Sequence, residues 1–531
     1  MGGVTVFRTP VHRVIIIFVT TAMLALTVLA GGGTVAGAAT VGGPVPSPAV
    51  QGPITPSSGI SFLGSTEFPP SGVGYEQSEF FLSGTATSYR SVTPLAKSGR
   101  WDVVPASTAS YKTRIVVYRP IDASHFDGTV VVEWLNVTAG IDAPAAWLNA
   151  HIQMIRQGMA YVGVDAQAGG INGEPDSIAV AAGANGIKTA DPKRYGSLHH
   201  PGDSYSYSIF QQAGRALHTS GSRLLGGLHV KRVLALGESQ SAFRLVTYID
   251  ALQVRSPGIY DAYFVYSRGG NASDLSQSPQ TTITTPTPTY IRTDLHVPVF
   301  LFETETDLLG LGYLAARQPA TRYLREWETA GTAHDDTYGL LYARTDTGNG
   351  TADTDAFQSM LAPPSDPIPG IVDCPAPVNA GSHTYELRAA VAAVNRWMDS
   401  GDPPRQSPRL TVDPSDPHAF VTDANGNALG GIRTAQVQAP VATLSGIGQP
   451  GSTSLGTQPS NADTISSATL CSILGTTVPF GPAKLAALYP THAAFVAKWD
   501  AATAAEVHEG YLLPTDARAL DQVAARSTVG S

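Results

Sequence analysis

The chain is short of charge. Of its 531 residues only 14% are Asp, Glu, Lys or Arg, against roughly a quarter in typical globular proteins. Lys and Arg number 33 against 42 Asp and Glu, a net charge of −9. No basic cluster stands out, which argues against nucleic acid as a partner. Cysteine is scarce too, with only Cys374 and Cys471. An even pair in an exported chain is expected to form one disulfide, the alternative being two buried free thiols. Beyond residue 30 no apolar run is long enough to span a bilayer. The first 30 residues are different. Arg8, His12 and Arg13 flank the apolar run Val14 to Ala30, and Ala36-Gly37-Ala38 follows with small residues. This pattern predicts a signal peptide over 1–39, cleaved near Ala38-Ala39, and hence a secreted protein. The alternative is an uncleaved anchor in the membrane. No Cys lies directly behind the run, so a lipoprotein anchor is not expected.

What is plentiful is apolar residues, 43% of the chain, with Gly 54 and Pro 39. That combination describes a large core carrying much loop. Residues 40–72, rich in Gly, Pro and Ser, are expected to be a linker. Strands are expected at Ser78 to Tyr89, Thr113 to Tyr118, Thr129 to Leu135, Ala160 to Asp165, Val233 to Leu236, Asp261 to Tyr266 and Val299 to Phe302. Helical stretches alternate with them, as at Ala145 to Gln157 and Ser206 to Leu217. That order predicts an α/β fold, a mainly parallel sheet covered by helices on both faces. The core is expected over 73–406, with lid insertions such as the long loop Ala166 to Ser206. Residues 407–531 form a C-terminal extension with too few large apolar residues for a core of its own, so it is expected to wrap the first.

The stretch that carries chemistry is Val233-Leu234-Ala235-Leu236-Gly237-Glu238-Ser239-Gln240-Ser241-Ala242. A short apolar strand runs into a tight turn tipped by Ser239. Helical spacing of Ala242, Phe243, Leu245, Val246 and Ile249 follows. A serine held at such a strained turn requires small residues two positions to either side, here Gly237 and Ser241. A serine hydroxyl needs a base, and the base a carboxylate to orient it. In a nucleophile-elbow fold the acid and then the histidine follow the serine in sequence. Asp307, in the turn after the strand Val299 to Phe302, is the expected acid, and Glu305 is the runner-up. Asp307 is also a candidate helix N-cap. His334, ending the small-residue loop Thr329 to Ala333 after a strand at Tyr323 to Glu328, is the expected base. His383 is its rival. Backbone N–H groups for an oxyanion are expected from Gln240 and from Asn136 or Val137 in the loop after Thr129 to Leu135.

Other patterns lead to less. His199 and His200 are adjacent and so point different ways, and no metal site is completed around them. Asp346 to Asp355 and Asp423 to Asn427 lack the spacing of a calcium loop and are expected to be solvated turns. Asn136-Val137-Thr138 matches a glycosylation sequon but follows a buried strand.

Gly237-Glu238-Ser239-Gln240-Ser241-Ala242, Ala330-Gly331-Thr332-Ala333-His334, the segment Asp191 to Asp203 and Gly430-Gly431-Ile432-Arg433 together resemble the α/β-hydrolase-domain family of bacterial secreted proteins. The resemblance runs from about Gly74 to Gly510. It implies a Ser–His–Asp serine hydrolase acting on carboxylic esters of small molecules or lipids, without a cofactor. An acyltransferase, lactonase or amidase would use the same triad. A hydrolase fold retained only for binding is the alternative of another class.

Overall fold

The computed structural model describes residues 44–54, 66–140, 142–173, 186–449 and 470–531, all within one compact unit. The expected signal peptide lies outside the described residues, as do residues 40–43 and 55–65 of the expected linker. Nine strands form one sheet. In chain order they are β1 (Ala49–Gln51), β2 (Tyr75–Ser91), β3 (Val103–Pro120), β4 (Thr129–Trp134), β5 (Ala160–Val164), β6 (Arg232–Glu238), β7 (Ala262–Tyr266), β8 (Val299–Glu303) and β9 (Leu324–Glu328). Their spatial order is β1-β2-β3-β5-β4-β6-β7-β8-β9. The run from β5 to β9 is parallel, and β1 to β3 are antiparallel to their neighbours. The chain is α/β, with β6 near the middle of the sheet.

Each central strand alternates between two cores, as its period of two requires. Val233 and Ala235 of β6 face one apolar cluster, and Leu234 and Leu236 face the other. Tyr263 and Val265 against Phe264 and Tyr266 repeat the alternation in β7. Helices α1 (Ala145–Gln157) and α6 (Thr384–Ser400) cover one face, where Trp147 stacks on Tyr118 at 4.4 Å. Helices α2 (Ser206–Leu224) and α3 (Gln240–Leu252) cover the other, with Phe210 stacked on Tyr260 at 5.1 Å. A five-residue helix α4 (Glu305–Leu309) follows β8, and α5 (Thr351–Leu361) precedes α6.

The residues after 406 add two small hairpins, β10 (Val412–Asp413) with β11 (Asp416–Phe420) and β12 (Ala442–Ser445) with β13 (Thr476–Pro479). Helices α7 (His492–Glu509) and α8 (Pro514–Arg526) close the chain. Leu410, Val437, Leu444, Phe495 and Trp499 join the cluster under α2 and α3, and Ile432 and Tyr511 join the other. Tyr511 meets Trp327 of β9 edge-on at 5.0 Å. Cys374 is disulfide-bonded to Cys471, which ties the segment before β13 to the segment before α6.

Candidate active site

Ser239 sits between β6 and α3 with φ 54° and ψ −120°, a left-handed conformation rare for a side-chain-bearing residue. The turn is held by its neighbours. Ser239 N–H donates to the Tyr266 carbonyl of β7 at 3.0 Å, and Phe243 N–H returns to the Ser239 carbonyl at 3.1 Å. Gly237 is required here: a Cβ at that position would stand 2.7 Å from the Ser241 carbonyl oxygen. Ser241 is fully buried, so a small residue is demanded there as well.

The two chain-distant partners arrive from the ends of the next strands. His334 Nε2 is 2.8 Å from Ser239 Oγ, and His334 Nδ1 is 2.6 Å from Asp307 Oδ1. Asp307 lies in α4, where Thr304 is the N-cap and Asp307 the third helical residue of a capping box, rather than itself the N-cap. Its Oδ2 accepts from Thr304 N–H at 2.7 Å and from the Thr304 hydroxyl at 2.8 Å, which leaves Oδ1 to the histidine. His334 N–H donates to Thr306 Oγ at 3.1 Å, so α4 also positions the histidine backbone. The loop before His334 turns at Gly331, with φ 77°. Burial lowers the affinity of the His334 ring for its proton, but Asp307 and Glu238 outweigh it and bring the ring up to about 9.

Glu305, the runner-up acid, does other work. Its carboxylate accepts from Gly331 N–H at 2.6 Å and from Gly446 N–H at 2.8 Å, pinning the histidine loop to the chain after β12. Burial pushes it up to about 7. The rival histidine, His383, is buried on α6's side of the sheet. Its Nε2 bonds the Tyr266 hydroxyl, and its Nδ1 is 3.2 Å from Asp336 Oδ2. Among the described residues its polar partners do not include Ser239.

The loop after β4 is anchored from beneath. Arg114 of β3 donates to Asp142 at 2.8 Å and to Asp165 at 2.9 Å. Asn136 N–H donates to the Ala143 carbonyl at 3.1 Å and is therefore engaged inside the loop. Val137 N–H points to the elbow, where the side-chain Oε1 of Gln240 accepts it at 3.3 Å. Gln240 is the first residue of α3, so its own N–H belongs to the helix's opening turn. Asn136 contributes through its side chain instead: Nδ2 donates to Glu238 Oε2 at 3.0 Å. Glu238 is a member of the site that the elbow motif does not name. It shares its strand face with the apolar Leu234 and Leu236, and a carboxylate on such a face is the signal that marks it. Elsewhere His200 is buried, with Nε2 on the Ala166 carbonyl at 2.9 Å and Nδ1 accepting from Gly202 N–H.

A sequence model described as an alpha/beta hydrolase domain matches residues 50–522. The chain belongs to that family. The family's span takes in the region after 406, so the extension is part of the shared domain. No curated protein matches the chain. Among solved structures the fold is similar to a thermostable esterase of Pseudomonas putida, 13% identical, covering 53% of this chain and 80% of that one at a TM-score of 0.29. A carboxylesterase of Lactobacillus plantarum is 14% identical, covering 52% and 94% at 0.25. A siderophore hydrolase of Aspergillus nidulans is 12% identical, covering 40% and 68% at 0.22. Likeness at this level speaks to no shared substrate.

Proposed function

We propose that this hydrolase cleaves carboxylic esters through a Ser239–His334–Asp307 triad. One observation carries the reading: the unbroken chain Ser239 Oγ, His334 and Asp307, at 2.8 and 2.6 Å, with the serine on a strained turn. The ring takes the hydroxyl proton through Nε2 as Oγ attacks the ester carbonyl. The oxygen of the tetrahedral intermediate takes up the N–H groups of Gln240 and Val137, displacing the Gln240 side-chain oxygen from Val137. The imidazolium, held by Asp307, gives its proton to the leaving alkoxide. An acyl-enzyme remains, and water releases the acid by the same steps in reverse. None of these steps calls for a cofactor.

Secretion is part of the same proposal. It rests on the N-terminal sequence pattern and on the Cys374–Cys471 bond, which suits an oxidising compartment. Among the described residues no helix is long and apolar enough to cross a membrane.

A fluorophosphonate probe tests the site. It is expected to label Ser239 in the wild type and to leave Ser239→Ala unlabelled. Ester hydrolysis should fall with the label. A folded wild type that resists the probe and hydrolyses no ester would leave a binding protein as the reading. A panel of esters, lactones and anilides, with an alcohol acceptor added, then distinguishes hydrolysis from acyl transfer and esters from lactones and amides.

A further inference from the structure

His334 Nε2 has a second neighbour besides Ser239. Glu238 Oε1 lies 3.4 Å from it, and the pair is buried. The other carboxylate oxygen is held by Asn136 Nδ2 at 3.0 Å, so the group is fixed on both sides. The triad already supplies the ring with one carboxylate, Asp307 on Nδ1. We propose that Glu238 is a second carboxylate partner of the His334 ring, holding positive charge on the nitrogen that serves the serine and so setting the pH above which that ring can accept the Ser239 proton. The proposal rests on the triad reading given above.

Glu238 does not take the proton itself. The proton passes from Ser239 Oγ to Nε2 and then to the leaving alkoxide, and the Glu238 charge stabilises the imidazolium between the two transfers. The cost falls on the resting enzyme, because the same charge keeps the ring protonated to higher pH, where it is no base.

The pair sits among other charges. Asp307 of α4 and Asp335, next to His334, act on both members. Tyr266 at the end of β7 feels Glu238, Asp335, Asp336 and Asp307, and it bonds His383. Glu133 of β4 feels Glu238 from behind. Burial is the largest influence on Glu238 itself and raises it to about 7, with His334 acting the other way. Glu238 is thus mainly charged through the range in which His334 loses its proton.

Glu238→Gln keeps the shape and an oxygen for Asn136 while removing the charge. The test is the pH dependence of kcat/KM for an ester, together with the pH dependence of fluorophosphonate labelling, in wild type and variant. The acid limb of both profiles is expected to move down by about one pH unit, since an opposite charge within ~4–6 Å shifts a group by roughly one to three units. Within the limb the variant gains up to about tenfold relative to its own plateau. That plateau falls, because the imidazolium loses a partner. A folded, labelled variant whose limb stays put overturns the proposal and leaves the triad standing. A wild type that is not labelled at Ser239 overturns the triad reading itself. Should the Gln variant not fold, Glu238→Asp draws the charge back from Nε2. Its limb is then expected to fall by a few tenths of a unit, and an unmoved limb overturns the proposal.

Discussion

Replacing Asp307 by Asn changes one atom, and the surroundings decide which way the new amide faces. Thr304 donates to Oδ2 twice, from its N–H at 2.7 Å and its hydroxyl at 2.8 Å. The amide oxygen must stay on that side, since the reverse orientation would set an NH2 against an N–H donor. The NH2 then faces His334 Nδ1, where Oδ1 stood at 2.6 Å. Nδ1 has to accept, so the ring carries its single proton on Nε2, facing Ser239. A ring in that tautomer cannot take the serine proton. In the best-studied triads this change lowers kcat by about 10⁴, or about 5.4 kcal/mol of transition-state stabilisation. Steady-state hydrolysis of an activated ester measures it, with circular dichroism to show that the fold is kept. Glu305→Gln is the control, because its partners are the N–H groups of Gly331 and Gly446 rather than the histidine ring. It should cost about 1–3 kcal/mol of stability, with kcat within about tenfold of wild type. Near-normal turnover in Asp307→Asn beside a dead Glu305→Gln would refute the argument and make Glu305 the acid.

Three further outcomes are expected. His334→Ala should lose several orders of magnitude in kcat, whereas His383→Gln, at a ring that bonds the Tyr266 hydroxyl and lies beside Asp336, should lower the urea midpoint and leave kcat within about tenfold. Gln240→Ala frees Val137 N–H from its side-chain acceptor and should raise kcat/KM a few-fold, since one net hydrogen bond is worth about 0.5–1.5 kcal/mol; a fall in kcat/KM would assign the side chain to substrate binding instead. Replacing both Cys374 and Cys471 by Ser opens a link between residues 97 apart in sequence, which the chain-entropy relation values at roughly 4–5 kcal/mol, to be read from denaturant unfolding.

The elbow could be read from sequence because strain leaves few choices. A serine at positive φ needs Gly237 and a small Ser241, and these two residues mark the turn in the sequence itself. Asp307 follows the apolar strand β8, and His334 follows β9, whose Leu324 and Trp327 stand among three charged residues, so the second position is marked by its small-residue loop rather than by its strand. The antiparallel edge was harder. β2 and β3 run 17 and 18 residues, well past their apolar parts, because the backbone ladder continues through Thr85 to Ser88 opposite Ser107 to Ser110, where no apolar alternation marks it. β1 lies inside the span expected to be linker: backbone pairing to β2 needs only three residues and no apolar pattern. Helix α8 leaves a weak mark in the sequence, because two of the four apolar residues it buries, Ala517 and Ala524, are only alanines. The link from Glu305 to Gly446 joins residues 141 apart, and no local pattern announces it.

The buried carboxyl groups lead to a prediction that opposes the pH dependence of the chemistry. Burial pushes Glu133 up to about 8 and Glu305 and Glu238 to about 7, and it carries Glu303 and Glu506 well above the ordinary range. In the unfolded chain such groups ionise near 4.3. Between that value and their folded values the native state holds protons that the unfolded state has lost, so stability declines as pH rises through the window. His334 acts with the same sign. Its ring stays protonated to about 9 in the fold against roughly 6.5 when unfolded, so what it contributes below 6.5 is lost on the way to 9. Other groups matter on the acid side. Burial would raise Asp203 and Asp346, but Arg244 and Arg388 outweigh it and hold them low, and their contribution is lost only in strong acid. Burial also lowers the proton affinity of His151 and His200 below the ordinary histidine range, which costs stability below about 6.5. The urea midpoint should therefore peak in mildly acidic solution and fall towards pH 8.5, while ester turnover climbs as His334 is freed to act as a base. A tenfold change in the proton affinity of one group is worth about 1.4 kcal/mol, so a fraction of these groups suffices to be seen against a total stability of ~5–15 kcal/mol. Urea unfolding at pH 6 and pH 8.5, with the rate measured on the same samples, decides it: a midpoint that rises with pH would mean that these carboxyl groups are ionised in the fold.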